Sequence, residues 1–508
     1  MAHRTVILDG HSLTIADLVA VARKGAHAAL APAARKRMER SRAWVDKAVE
    51  RQAVVYGITT GFGAFQNVSI GPGQLRDLQR NLILSHCAGT GEPFQTEAVR
   101  GMMVLRANAL AKGHSGIRVA TVERLLAMLN KGVHPVVPQQ GSVGASGDLA
   151  PLSHIAAVLI GEGEAEFRGG RMPGRDALEA AGLKPVVLEA KEGLALNNGT
   201  QAMTAVAVLA AHDAEVLAET ADTAAAMTLE AVKGKSAPFD ARVGRVRPHS
   251  GQSQSAARVR AMIKGSMLVD AKDDDTRDRV QDSYSLRCVP QVHGASRDAL
   301  RHVRSVLETE MNSATDNPLV FPERDTALSA GNFHGQPVAL AADFLALAAA
   351  ELGSIAERRV AKLMDRHHNG GLPPFLAGNG GVESGLMIAQ YTAAALVSEN
   401  KVLVHPASAD SIPTSANQED HVSMGTIAAR QAREVAANVA RVLAIELLCA
   451  TRALEFRQAK AGRGTEAARR LVLRAVGRTG GDRALTHDIE DLAVLVRAGA
   501  FAAPARLH

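Results

Sequence analysis

With 508 residues the chain has ample length for a large core, and size alone allows roughly two to four domains. Apolar residues make up 46% but aromatics only 3%, so alanine and leucine must fill the interior, which favours close-packed helices over a β-sandwich. The net charge of +6 is spread over interspersed basic and acidic residues with no single-sign tail, a solvated surface rather than a nucleic-acid footprint. Cys87, Cys288 and Cys449 are odd in number and widely spaced, without a Cys-x-x-Cys pair, which points to a reduced, cytoplasmic setting. No cleavable signal begins at Met1, and charges such as Asp343 and Glu446 interrupt the apolar stretches, so no membrane span is expected.

In chain order, residues 6–10 read as a short strand and turn, 14–23 as a helix and 35–52 as a longer amphipathic helix. The glycines and β-branched residues of Tyr56-Gly57-Ile58-Thr59-Thr60-Gly61-Phe62-Gly63 then break the helical period and mark a loop, the kind of segment that carries function. Tyr56 is either a core aromatic or an active group. Residues 74–85 predict a helix ending at His86, which locally is a cap or a surface group. A hairpin is expected over 164–172. Asn197 and Asn198, ordinarily a cap, precede a long alanine-rich helix over 201–232. Further long helices are predicted over 296–313, 337–364, 385–402 and 430–456, several apolar all round as at the centre of a bundle. The basic stretch 457–478 and a final helix over 486–498 read as surface closure.

The most informative run is Gly141-Ser142-Val143-Gly144-Ala145-Ser146-Gly147-Asp148-Leu149-Ala150-Pro151-Leu152-Ser153-His154. Within it, three small residues bracketed by glycines let the backbone fold tightly enough for the Gly147 amide nitrogen to reach the Ala145 carbonyl carbon. Ring closure with loss of water gives an imidazolone, and dehydration of Ser146 leaves an exocyclic methylidene, an electrophile that no standard side chain supplies. Local chemistry alone also allows a phosphate cradle at a helix start, or a turn. However, there is no Gly-Lys-[Ser/Thr] ending, and Gly144-Ala145-Ser146-Gly147 lacks the spacing of a nucleophile elbow. Asp148 and Pro151 suit the start of a helix over 152–160, stopped by Gly161-Glu162-Gly163, whose N-terminus would stabilise negative charge on the ring.

This run resembles the signature of the aromatic amino acid ammonia-lyases, and within them the histidine-directed branch. The similarity extends from the Tyr56 loop to Asn417-Gln418-Glu419-Asp420-His421-Val422-Ser423-Met424-Gly425-Thr426. It implies a mainly α fold of the fumarase/aspartase-like superfamily: an N-terminal α-rich region bearing the ring over 1–200, a central long-helix bundle over 201–456 and a helical closure over 457–508. It further implies 4-methylidene-imidazol-5-one (MIO) formed from Ala145, Ser146 and Gly147, no external cofactor, no metal, and a homotetramer whose active sites are shared between chains. The implied reaction is non-oxidative deamination of L-histidine to trans-urocanate and ammonia, the first step of histidine breakdown. A phenylalanine or tyrosine lyase or an MIO aminomutase is the alternative among enzymes, and a helical scaffold with a vestigial site the alternative outside them.

Carried over residue by residue, the resemblance makes Tyr56 the first candidate base and Tyr284 the second. Asn198 stands beside the ring, Gln281 and Phe333 line the pocket, and Glu419 supports the amine or the imidazole. Arg287 fits the substrate carboxylate, which a guanidinium grips through two parallel hydrogen bonds. His86 occupies the position where histidine-directed members differ from the others. Together His86 and Glu419 put polar groups into an otherwise apolar pocket, where an imidazole can pair with them and a phenyl ring cannot. Ser283, Val289 and His293 depart from the family pattern, which would have proline, glutamine and methionine there.

Overall fold

Three helices of 29 to 31 residues dominate the architecture: Gln201–Ala231, Gln336–Met364 and Gly425–Glu455. At 1.5 Å per residue each is roughly 45 Å long. Alanine makes this possible, because its side chain loses no rotamer freedom and lets helices approach closely. The computed structural model describes residues 4–61, 67–272, 279–477 and 479–502. Phe62 and Gly63 of the tyrosine loop, Arg478 of the basic stretch and Met1 lie outside the described residues. The fold is mainly helical, as expected, with nine short strands among the described residues.

The chain divides into two units, each gathered from three stretches. The first comprises Met1–Leu209, Arg304–Asp343 and Pro406–Arg430, the second Ala210–Val303, Phe344–His405 and Gln431–His508. In the first unit, strands Thr5–Leu8 and His27–Leu30 pair in parallel around the helix Ile15–Lys24. Thr14 and Asp17 form a capping box at that helix's start, and Gly25 closes it at a φ of +67°. The helix Thr96–Ala111 is buried at every position from Ala98 to Ala111, including Arg100, Arg106 and Asn108. The expected hairpin is present as Glu164–Phe167 and Gly170–Pro173, extended by His134–Pro135 into a three-stranded antiparallel sheet.

Three helices of this unit pack on one another: Leu75–His86, Leu149–Leu159 and the short Glu192–Asn197. Their ends deliver candidate functional residues. His86 is the last residue of the first helix, Ser146 precedes the second and Asn198 follows the third.

Two helices begin well before their sequence signals, by about five residues or more. One runs Val289–Met311 rather than from 296, because Pro290 sits in its first turn, where a missing N–H costs nothing. The other starts at Gly425 rather than at 430. The helix Gln336–Met364 is long and apolar enough to cross a membrane, but most of its apolar window is buried, and its Asp343 accepts the Ser408 amide at 2.9 Å.

Two networks of ionisable groups buried in the second unit are paired internally. Asp222 accepts hydrogen bonds from His293 Nδ1 at 2.7 Å, Ser255 Oγ at 2.5 Å and Arg297 Nη2 at 2.6 Å. Arg359 donates twice to Glu446, at 2.6 and 2.8 Å, and its Nη1 faces His293 Nε2 at 3.4 Å. A guanidinium only donates, so Nε2 must accept and Nδ1 must carry the proton: His293 is a neutral imidazole. Both of its ring nitrogens are thereby satisfied.

Burial, with Arg359 and Arg297, holds the His293 pKa below its ordinary 6.5 despite Asp222. The unfolded chain therefore binds this proton more tightly, and the stability His293 contributes is lost as pH falls below about 6.5. Between about pH 7.5 and pH 5 the wild-type melting temperature is expected to drop more steeply than that of His293→Met. Parallel slopes would contradict the neutral-imidazole assignment.

Candidate active site

The turn around Ser146 is held by glycine at both ends. Gly144 and Gly147 have φ of +69° and +70°, and a Cβ at Gly147 would lie 2.2 Å from the Gly199 carbonyl oxygen. At Gly144 it would lie 2.2 Å from Ser423 Oγ. Only glycine fits either place. The turn is pinned from several sides: the Asp148 amide donates to Gly199 O at 2.7 Å, the Met424 amide to Val143 O at 2.9 Å, and Asn198 Nδ2 to Ser146 O at 3.3 Å. Ala145 packs with Val422 and Met424. The short Ala145-Ser146-Gly147 segment is thus fixed from several sides by its neighbours.

Asp148 precedes the helix Leu149–Leu159 but makes no side-chain cap there. Its carboxylate turns instead to the start of the helix Gln201–Ala231, accepting the Met203 amide at 2.8 Å. It also accepts from Ser142 Oγ at 3.1 Å and from Thr426 Oγ1. The expected cap exists, but on a helix more than fifty residues further on. Asn197 is likewise no cap: it ends the helix Glu192–Asn197 and donates Nδ2 to Ser153 Oγ at 3.1 Å.

Ser146 opens onto a cavity of about 620 Å³ whose wall includes Tyr56, His86, Asn198 and Glu419. Leu78, Leu82, Leu149 and Leu194 supply its apolar surface. Ser146 Oγ donates to Glu419 Oε1 at 3.0 Å, and Thr414 Oγ1 donates to Oε2 at 2.7 Å. Glu419 is presented by a tight turn in which Ser415, Ala416 and Asn417 all have left-handed φ, of 50°, 51° and 66°. Three non-glycine residues in that region store strain, which persists where the surroundings over-determine it and which concentrates at functional sites. The Asn198 Oδ1 atom is buried and has no partner among the described residues, leaving an acceptor for an incoming group.

His86 Nδ1 lies 2.8 Å from Leu82 O, which can only accept, so that nitrogen carries the proton and Nε2 is an acceptor. Burial lowers the ring's pKa, against the Leu82 carbonyl and the Glu419 charge, and favours this neutral form. A larger cavity of about 1100 Å³ in the second unit is lined almost wholly by the stretch 454–474, with exposed arginines and Glu466, and brings together no comparable set of groups.

The structure therefore gathers Ala145, Ser146, Gly147, Tyr56, His86, Asn198 and Glu419. Gln281, Tyr284 and Arg287 belong to the second unit and are not among the lining residues. There Tyr284 is 70% exposed, and the Arg287 guanidinium stacks 4.5 Å from its ring centre. Phe333 is half-buried in the first unit and also does not line the cavity. Sequence reasoning missed Thr414, Ser142 and Thr426, which hold the two carboxylates; a hydroxyl residue gives no signal of its partner unless the fold is known.

The family model for aromatic amino acid lyases matches residues 13–474. The chain belongs to this family. It is 57% identical over 495 residues to the histidine ammonia-lyase of Symbiobacterium thermophilum, covering 97% of each chain. Among solved structures it resembles histidine ammonia-lyase from Trypanosoma cruzi, with a TM-score of 0.92 and 44% identity over 99% of this chain and 95% of that one. It also resembles tyrosine aminomutase from Streptomyces globisporus, with a TM-score of 0.93 and 39% identity over 98% of each.

Burial pushes the Asp148 carboxyl up to about 6, although Thr426, the Met203 amide and Ser142 lower it. A folded pKa above the ordinary 3.8 means that stability contributed by this acid is full below 3.8 and is lost as pH rises through about 6. Thr426→Val removes one donor to the carboxylate and is expected to cost about 1–3 kcal/mol at about pH 8. The cost should shrink at about pH 5, where the group is protonated. Denaturant titrations at the two pH values check this, and a loss that grows toward acid would contradict it.

Proposed function

We propose that the protein deaminates L-histidine non-oxidatively to trans-urocanate and ammonia, the entry step of histidine breakdown, using MIO formed from its own Ala145, Ser146 and Gly147. The observation that carries this reading is the glycine-locked Ser146 turn facing a cavity that also presents Tyr56, His86 and Glu419. When present, the ring supplies an electrophilic carbon that turns the amino nitrogen into a better leaving group, with no external cofactor. Asn198 and the Asp148–Gly199 contact would hold it in place. Tyr56, in the cavity wall, would take the β-proton, and Tyr284 is the other candidate. Glu419 would receive the amine or the imidazole.

Gln281, Tyr284, Arg287 and Phe333 enter this reading from other copies of the chain in a homotetramer with shared sites. The exposed Tyr284 and the unpartnered, buried Arg287 Nε support that role. Arg287 would then hold the substrate carboxylate by two parallel bonds. Three free cysteines fit a cytoplasmic setting.

The fold does not choose the substrate, since a tyrosine aminomutase matches it as well as a histidine ammonia-lyase does. The choice rests on relatives above 50% identity and on His86. Its Nε2 acceptor is matched by an imidazole N–H and by no atom of a phenyl ring, and sites built on such a bond reject analogues lacking it by roughly 10⁴ or more. The expected outcome is a kcat/KM for L-histidine far above those for L-phenylalanine and L-tyrosine, with His86→Phe eroding the preference by weakening histidine turnover. Comparable wild-type values for histidine and phenylalanine would defeat the substrate assignment.

A further inference from the structure

Arg106 lies in the middle of the buried helix Thr96–Ala111 and is 1% exposed, yet no carboxylate bonds to it. Its whole fork is spent on one neighbouring stretch of chain. Nε and Nη2 donate to Ala195 O at 2.9 and 2.5 Å, and Nη1 donates to Asn198 O at 2.8 Å and to Gln201 Oε1 at 2.7 Å. Gln201 is in turn fixed by its Nε2 bond to Thr315 Oγ1 at 2.7 Å. Between Asn198 and Gln201 lies Gly199, where a Cβ would meet Arg106 Nη1 at 2.3 Å. The guanidinium therefore packs against a bare Cα. Burial lowers its pKa to about 10, which still leaves it charged at neutral pH. The acid whose charge acts on it, Asp316, is already paired with the buried Lys191 at 2.8 Å.

Burying a guanidinium without a bonded carboxylate is costly, and a helix C-terminus can be closed far more cheaply by glycine or water. What the arginine uniquely provides is a rigid fork reaching several acceptors at once. The acceptors belong to the segment that touches the ring-forming turn. Asn198 Nδ2 donates to Ser146 O, and Gly199 O accepts the Asp148 amide. We propose that Arg106 is a positioning residue: by clamping the Ala195–Gln201 segment it sets the Asn198 side chain against Ser146 and the Gly199 carbonyl against the backbone of Gly147 and Asp148. The proposal rests on the reading of Asn198 as a site residue.

The test is a double-mutant cycle on the full-length protein, with ammonia release from L-histidine as the readout. Arg106→Lys keeps the charge but replaces the planar fork by one nitrogen that cannot reproduce its four bonds, and is expected to lower kcat between about tenfold and a hundredfold, with a smaller change in KM. In an Asn198→Ala background the same substitution should cost less than about threefold, because the group it positions is gone. Equal losses in both backgrounds, or a lowered melting temperature with unchanged kcat, would overturn the role of Arg106. If Arg106→Lys yields no folded protein, Gln201→Leu removes one acceptor from the same fork. A kcat loss that vanishes with Asn198→Ala then supports the proposal, and unchanged kcat overturns it. Asn198→Ala with wild-type kcat would instead overturn the underlying assignment of Asn198.

Discussion

The close approach of two glycines organises this site. Gly147 and Gly199 form an isolated parallel bridge, and a Cβ at Gly147 would collide with the Gly199 carbonyl. Because neither residue has a side chain, the turn that carries Ser146 can lie directly on the segment that carries Asn198. Everything else converges on that contact. Asp148, the residue after Gly147, reaches the start of the helix Gln201–Ala231, and Arg106 grips the other side of the Gly199 segment. Ser142 and Thr426 join the first, Gln201 and Thr315 the second. The Ala145-Ser146-Gly147 triplet is thus held by backbone contacts and by buried polar groups.

Much of this was legible in the sequence where a residue's meaning is local. Ala145-Ser146-Gly147 announces itself because small residues expose backbone, and the hairpin at Glu164–Phe167 announces itself through alternation. Long alanine-rich runs read directly as helices. Illegible were the features whose partner lies far along the chain. Asp148 obeys the cap rule for the helix beside it, yet serves another helix. Arg106 carries no local signal that separates it from Arg100 in the same helix, and only the fold shows that its fork closes on Asn198. The parallel pairing of Thr5–Leu8 with His27–Leu30 is likewise set by tertiary contact, because two four-residue strands carry too little pattern to reveal their pairing.

The second unit shows how an alanine-rich interior accommodates charge. Asp222, His293 and Arg297 satisfy one another, as do Arg359, Glu446 and Thr228. Arg359 also approaches Ser285 O at 3.5 Å, so the network reaches the helical turn Tyr284–Arg287. That turn carries two residues for which sequence resemblance implies a chemical role, and His293 belongs to the network that reaches it.

The proposed chemistry requires Ala145, Ser146 and Gly147 to cyclise and dehydrate. Intact-mass measurement of the purified full-length chain reads this out. An active protein lighter than its sequence by two water molecules is expected, with the deficit mapping to a peptide containing Ser146 and with Ser146→Ala unable to lose the second water. A fully active protein at its unmodified mass would contradict it.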